Sequence, residues 1–123
     1  MDDRRRSVRY HTFAKASLEG VNEGEVLLKD INVLGCRVEC TAYAGIELGK
    51  HYKLKVIPEE ASKVGAFDLL VEPVWLRTGN YACEIGFLII KSPKGKIFQR
   101  YVDYLSWHAS QGDSTGGDPE NPS

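Results

Sequence analysis

The chain has 123 residues, 42% of them hydrophobic and 27% charged, the composition of a single globular domain with a buried core. Sixteen Lys and Arg against seventeen Asp and Glu leave a formal net charge of −1, which argues against a protein that coats DNA through overall positive charge. No apolar run approaches the ~20 residues of a membrane helix, no apolar block follows Met1-Asp2-Asp3-Arg4-Arg5-Arg6, and three cysteines are too few for a disulfide scaffold. The expectation is a cytoplasmic protein with no membrane span.

The first element in chain order is an arm. Residues 1–11 hold Arg4, Arg5, Arg6 and Arg9 against two aspartates, and such a self-repelling segment is expected to be flexible. From residue 12 onward the pattern is that of strands. Segments 12–18 and 67–76 are rich in β formers. Val26 and Leu28 alternate with Leu27 and Lys29; Cys36, Val38 and Cys40 with Arg37, Glu39 and Thr41; Tyr52, Leu54 and Val56 with Lys53 and Lys55. Tyr81, Cys83, Ile85 and Phe87 alternate with Ala82, Glu84 and Gly86. Each segment has one apolar face, as half-buried antiparallel strands do. Gly, Asn and Asp at 20–24, 30–35 and 78–80 mark turns. About six short strands at this spacing predict a small barrel or sandwich.

The period then changes. Ser92-Pro93 reads as a helix start, with Ser as N-cap and Pro in the first turn. Ile97, Tyr101 and Leu105, with Phe98 and Val102 beside them, form an apolar stripe for docking on the sheet. Residues 110–123 carry Asp113, Asp118 and Glu120, no base and no apolar residue, and are expected to be a disordered acidic tail. The predicted organisation is an arm at 1–11, a β body plus helix at 12–109 and the tail at 110–123.

Patterns for catalysis are missing. The sequence has no Gly-x-Ser-x-Gly elbow, no phosphate-binding Gly-rich loop and no His-Glu-x-x-His, and His11, His51 and His108 are scattered. Cys36 and Cys40 share a strand face but lie about 13 Å apart at ~3.3 Å per residue, too far to hold one zinc ion. All three cysteines are read as small buried apolar residues, and Trp75 as core or rim packing in preference to a base-stacking platform. The expectation is a non-enzyme without cofactor or metal.

Two segments stand out. Arg5-Arg6-Ser7-Val8-Arg9 contains Arg-x-x-x-Arg. By itself it reads as a solvated basic terminus; functionally, the planar arginine fork suits phosphate oxygens and the O6 and N7 of guanine. Asp30-Ile31-Asn32-Val33-Leu34-Gly35 enters a strand. As plain structure it is a turn; functionally, a carboxylate there accepts from guanine N1–H and N2–H₂, with a short polar side chain two residues on.

Together and in this order the two segments resemble the PilZ domain family, which pairs Arg-x-x-x-Arg before its first strand with Asp/Asn-x-Ser-x-x-Gly some twenty to thirty residues later. Gly49 before Tyr52-Lys53-Leu54-Lys55-Val56, Val74-Trp75 followed by Glu84-Ile85-Gly86-Phe87, and the C-terminal helix extend the similarity over roughly residues 4–108. The resemblance implies a six-stranded antiparallel β-barrel with a C-terminal α-helix that binds cyclic di-GMP, its arginine arm folding over the ligand. It further implies that Arg5 and Arg9 contact phosphates and guanine edges, that Asp30 and Asn32 read a guanine, and that Gly35 allows close backbone approach. Arg4, just before the motif, implies an intercalated ligand dimer. Asn32 stands where the family usually has Ser. The implied partners are cyclic di-GMP and an unidentified downstream protein, with no DNA and no membrane. A ligand-blind adaptor of the same fold is the competing expectation. Nucleic-acid binding through the arm comes third, weakened by the −1 net charge and the lack of a basic–aromatic strand face.

Overall fold

The period-two segments form seven antiparallel strands: β1 (Tyr10–His11), β2 (Lys15–Leu18), β3 (Val26–Ile31), β4 (Gly35–Cys40), β5 (Tyr52–Ile57), β6 (Phe67–Thr78) and β7 (Cys83–Lys91). They are followed by helix α1 (Ile97–Gly117). The computed structural model describes residues 8–20, 26–41, 45–79 and 82–117, the last six of these as backbone only.

Strand β2 pairs with β3 and β5, β5 with β6, β6 with β7, β7 with β4, and β4 returns to β3. The ring therefore closes as a six-stranded antiparallel barrel, which removes the free sheet edges. Strand β1 is additional: Tyr10 pairs with Ile31 and His11 with Asp30, beyond the stretch of β3 that β2 covers. The last residues of the expected arm are thus laid against the barrel.

The alternation in the sequence becomes inside and outside. Leu28, Val38, Leu54, Val56, Leu69, Val71 and Ile85 point inward and are buried. Each such side chain contributes about 1.5–3 kcal/mol by leaving water. Cys36 and Cys40 are buried in the same interior, Cys83 is half-buried, and all three are free thiols.

Two irregularities in the ladders shape the outer face. The β3–β4 register shifts between Leu28 and Asp30, so that Asp30 and Ile31 are buried in succession. The β6–β7 register shifts between Pro73 and Trp75. Proline cannot donate to a ladder, so a proline in a paired strand favours such a bulge, and a bulge re-aims the side chains beside it.

Helix α1 begins at Ile97, later than the expected start at Ser92-Pro93. Gly95 takes a left-handed conformation, φ +81°, which an α-helix cannot contain, so the helix starts only after it. The expected stripe docks: Phe98, Tyr101, Val102 and Leu105 are buried, and Ile97 is half-buried. The Phe98 and Tyr101 rings lie 5.8 and 5.9 Å from that of Phe67. The Tyr101 hydroxyl donates to Glu59 Oε1 at 2.6 Å, tying the helix to the short 3-10 turn at Glu60–Ser62. The helical backbone runs to Gly117 and overlaps the start of the segment assigned to the acidic tail. Residues 118–123 lie outside the described residues. Among the described residues no helix is long and apolar enough to cross a membrane.

Candidate functional site

Arg9 immediately precedes β1, and the pairing of β1 with β3 carries it to Asp30. Its Nη1 donates to Asp30 Oδ1 at 3.0 Å. The bulge in β3 turns the Asp30 side chain into a place that is only 8% exposed. There its other oxygen, Oδ2, accepts from Nε and Nη2 of Arg37, each at 2.9 Å. Arg37 reaches onward with Nη1 to Glu84 Oε2 at 3.2 Å, and Arg77 Nη1 meets Glu84 Oε1 at 3.4 Å. Three arginines and two carboxylates alternate along this chain of contacts, leaving an excess positive charge.

Trp75 completes the wall. Its indole lies over Gly86, where a Cβ would collide with Nε1 and Cε2 of the ring. On the same ring the Arg77 guanidinium sits 5.4 Å from the centroid, a cation–π stack. Arg9, Asp30, Cys36, Arg37, Trp75 and Gly86 line one cavity of about 290 Å³. A smaller hollow of about 160 Å³ lies on the other side of Arg9, lined by Asn32, Gly35 and Leu34 among others. A larger cavity of about 480 Å³ lies elsewhere, between Phe67, Leu70, Pro93 and Ile97, and touches none of the expected site residues.

The structure therefore brings Arg9, Asp30, Asn32 and Gly35 to one place. Arg4 and Arg5 lie outside the described residues. Asn32 is 5% exposed, and its Oδ1 accepts from the backbone N–H groups of Leu34 (2.8 Å) and Gly35 (2.9 Å). That is an Asx-type turn, closed by the Asn32 N–H to the Gly35 carbonyl at 2.9 Å. The Asn32 oxygen is thus engaged in holding the loop. Gly35 has its own reason to be glycine: a Cβ there would stand 2.5 Å from the Phe87 carbonyl oxygen on β7.

The Cys36 thiol lies beneath the cavity. Burial first, and then the Asp30 carboxylate, push its pKa up to about 12 against an opposing effect of Arg9. It remains a neutral thiol near pH 7 and is a poor nucleophile there. Among the described residues, no group of three or more His, Cys, Asp or Glu side chains converges as metal ligands. The site offers forked donors, a buried carboxylate acceptor and a flat aromatic face in one cavity, which suits a planar, anionic molecule.

Arg37, Arg77 and Glu84 carry half of this site and were not singled out from the sequence. Arg37 and Glu84 stood on the polar side of two alternating segments, while Arg77 lay just past the segment 67–76 and carried no sequence signal. What joins them is the β4–β7 pairing, which sets Arg37 opposite Gly86, and β6–β7, which sets Arg77 opposite Glu84. Trp75, read from the sequence as core or rim packing, lies over Gly86 and lines the cavity. Set against models of known families, curated proteins and solved structures, the chain matches none.

Proposed function

We propose that the chain is a receptor for cyclic di-GMP that works in the cytoplasm without catalysing a reaction. The observation that carries the reading is the Arg9–Asp30 contact at 3.0 Å: two motifs separated by 21 residues meet at one cavity. Arg9 bonds Asp30 Oδ1 while Arg37 holds Oδ2, so binding is an exchange at Oδ1. The arginine moves to a ligand phosphate, and Asp30 Oδ1 is freed to accept from a guanine edge. The cavity of about 290 Å³ has room for a purine base and not for a whole cyclic dinucleotide. The remainder lies over the rim, where Arg4 and Arg5 of the arm close on it and Arg4 favours an intercalated pair of ligands. Closing the arm over the ligand would then alter the surface offered to a downstream protein. Val33, Leu34, Val74 and Leu88, each about half exposed around the site, supply apolar surface for that partner.

The second reading, a ligand-blind adaptor of the same fold, is favoured by Asn32, whose oxygen is engaged by the turn. Binding assays on Arg9→Ala and Asp30→Ala separate the two. A charged hydrogen bond contributes about 1.5–3 kcal/mol, so each variant is expected to bind cyclic di-GMP tenfold or more weakly. Arg9→Ala keeps its fold, since Arg37 still holds Asp30. Unchanged affinity in both variants would remove the site assignment.

A further inference from the structure

We infer that Arg37 is the positioning residue that holds Asp30 in the plane needed to read the guanine edge, an inference that rests on the cyclic di-GMP reading. Asp30 is shared between two arginines in unequal ways. Arg9 makes one bond to Oδ1, and its side chain is 48% exposed at the end of the arm. Arg37 makes two bonds to Oδ2, through Nε and Nη2, from the middle of β4. Its side chain is less exposed, at 29%. The far end of Arg37 is tethered in turn, by Glu84 Oε2 on the neighbouring β7.

The consequence appears when Arg9 leaves. Without Arg37, the Asp30 carboxylate would be a buried anion with no cation, free to turn about its last side-chain bond. With Arg37, Oδ2 stays gripped by a planar fork, so the plane of the carboxylate is fixed before and after the exchange. Guanine presents N1–H and the 2-amino group side by side, and Oδ1, the oxygen Arg9 vacates, is aimed at that edge only while the carboxylate plane is set. Arg37 itself lines the cavity beside Trp75, so it stands at the base's edge without replacing Asp30 as the reader. Lysine in its place would keep the charge and lose the fork.

The test compares cyclic di-GMP with cyclic di-IMP, which lacks only the 2-amino groups and keeps both phosphates. Dissociation constants are measured for the full chain, Arg37→Met and Arg37→Lys, with melting temperatures to check that each variant folds. The expected result is at least fivefold preference for cyclic di-GMP in the parent chain, falling below twofold in both variants. Arg37→Lys, which retains a cation beside Asp30, keeps the test in hand if Arg37→Met does not fold. A preference retained in the variants, with both ligands weakened equally, would show that Arg37 only supports the fold and would overturn the inference. A parent chain that binds neither ligand would instead overturn the ligand reading, and this inference with it.

Discussion

Gly86→Ala tests the geometry of the site wall without touching a charged group. A Cβ at Gly86 would fall on Nε1 and Cε2 of the Trp75 indole and 2.7 Å from Cδ1. Carbon contacts settle at about 3.5–4.0 Å, so the ring must retreat by more than roughly 1 Å. The atoms in the way belong to a side chain and not to backbone, so the indole moves while the strand stays. Overpacking of this kind costs about 1–3 kcal/mol. Gly86 does not have a positive φ, so alanine also restricts the unfolded chain and returns about 0.4–1 kcal/mol. The clash outweighs the entropy, and the net expectation is a loss of about 1–2 kcal/mol. For a body of this size each kcal/mol lowers Tm by roughly 4–8 °C. Fluorescence is best read in a Trp107→Phe background, because Trp107 is the other tryptophan and is 58% exposed. Displacing the indole from Gly86 and from its Arg77 stack should shift Trp75 emission to longer wavelength and weaken cyclic di-GMP binding several-fold. An unchanged spectrum with an equal or higher Tm would refute the placement of Trp75 over Gly86.

Tyr101 and Cys36 allow two stability measurements that need no ligand. Tyr101→Phe removes the hydroxyl that donates to Glu59 at 2.6 Å; Glu59 is half-exposed and can be rehydrated, so urea denaturation should show a loss of about 1–2 kcal/mol. No loss would mean that the bond does not hold α1 to the 3-10 turn. The Cys36 thiol has its pKa raised by burial from 9.0 to about 12, so its share of stability is complete below pH 9. As pH rises from 9 toward 12 the unfolded chain ionises this thiol first, and stability falls by up to about 1.4 kcal/mol per pH unit. Cys36→Ala, measured in urea at pH 8, 9 and 10, should lack that component; parallel profiles for the two proteins would contradict it.

Alternation made much of the barrel legible. Leu54 and Val56, Val38 and Cys40, and Ile85 and Phe87 face inward as their period-two spacing requires, and Tyr101 and Leu105 dock at helical spacing. What alternation cannot supply is the order of strands around the ring. That order sets Arg37 beside Glu84, a contact spanning 47 residues of sequence, and no local pattern encodes it. The bulges were equally hidden: Pro73 sits in a run that otherwise reads as a regular strand, and only the register shows that Trp75 is re-aimed there. Ser92-Pro93 carries a cap signal, but the left-handed φ of Gly95, which no local pattern announces, delays the helix to Ile97. Of the arginine motif, Arg9 is fixed by the pairing of β1, whereas Arg4 and Arg5 lie outside the described residues. Asn32 and Gly35 illustrate a residue pair with a structural reason for its identity, the turn and the Phe87 carbonyl, at a position that also borders the site.

The central claim is that a cyclic dinucleotide replaces Asp30 as the partner of Arg9. Calorimetric titration of cyclic di-GMP into the full chain, with GTP and cyclic di-AMP as comparison ligands, tests it most directly. The predicted result is micromolar or tighter binding of cyclic di-GMP alone, at two ligands per chain. No heat, together with no shift in melting temperature at high ligand concentration, would contradict it and leave the Arg9–Asp30 pair as a structural ion pair.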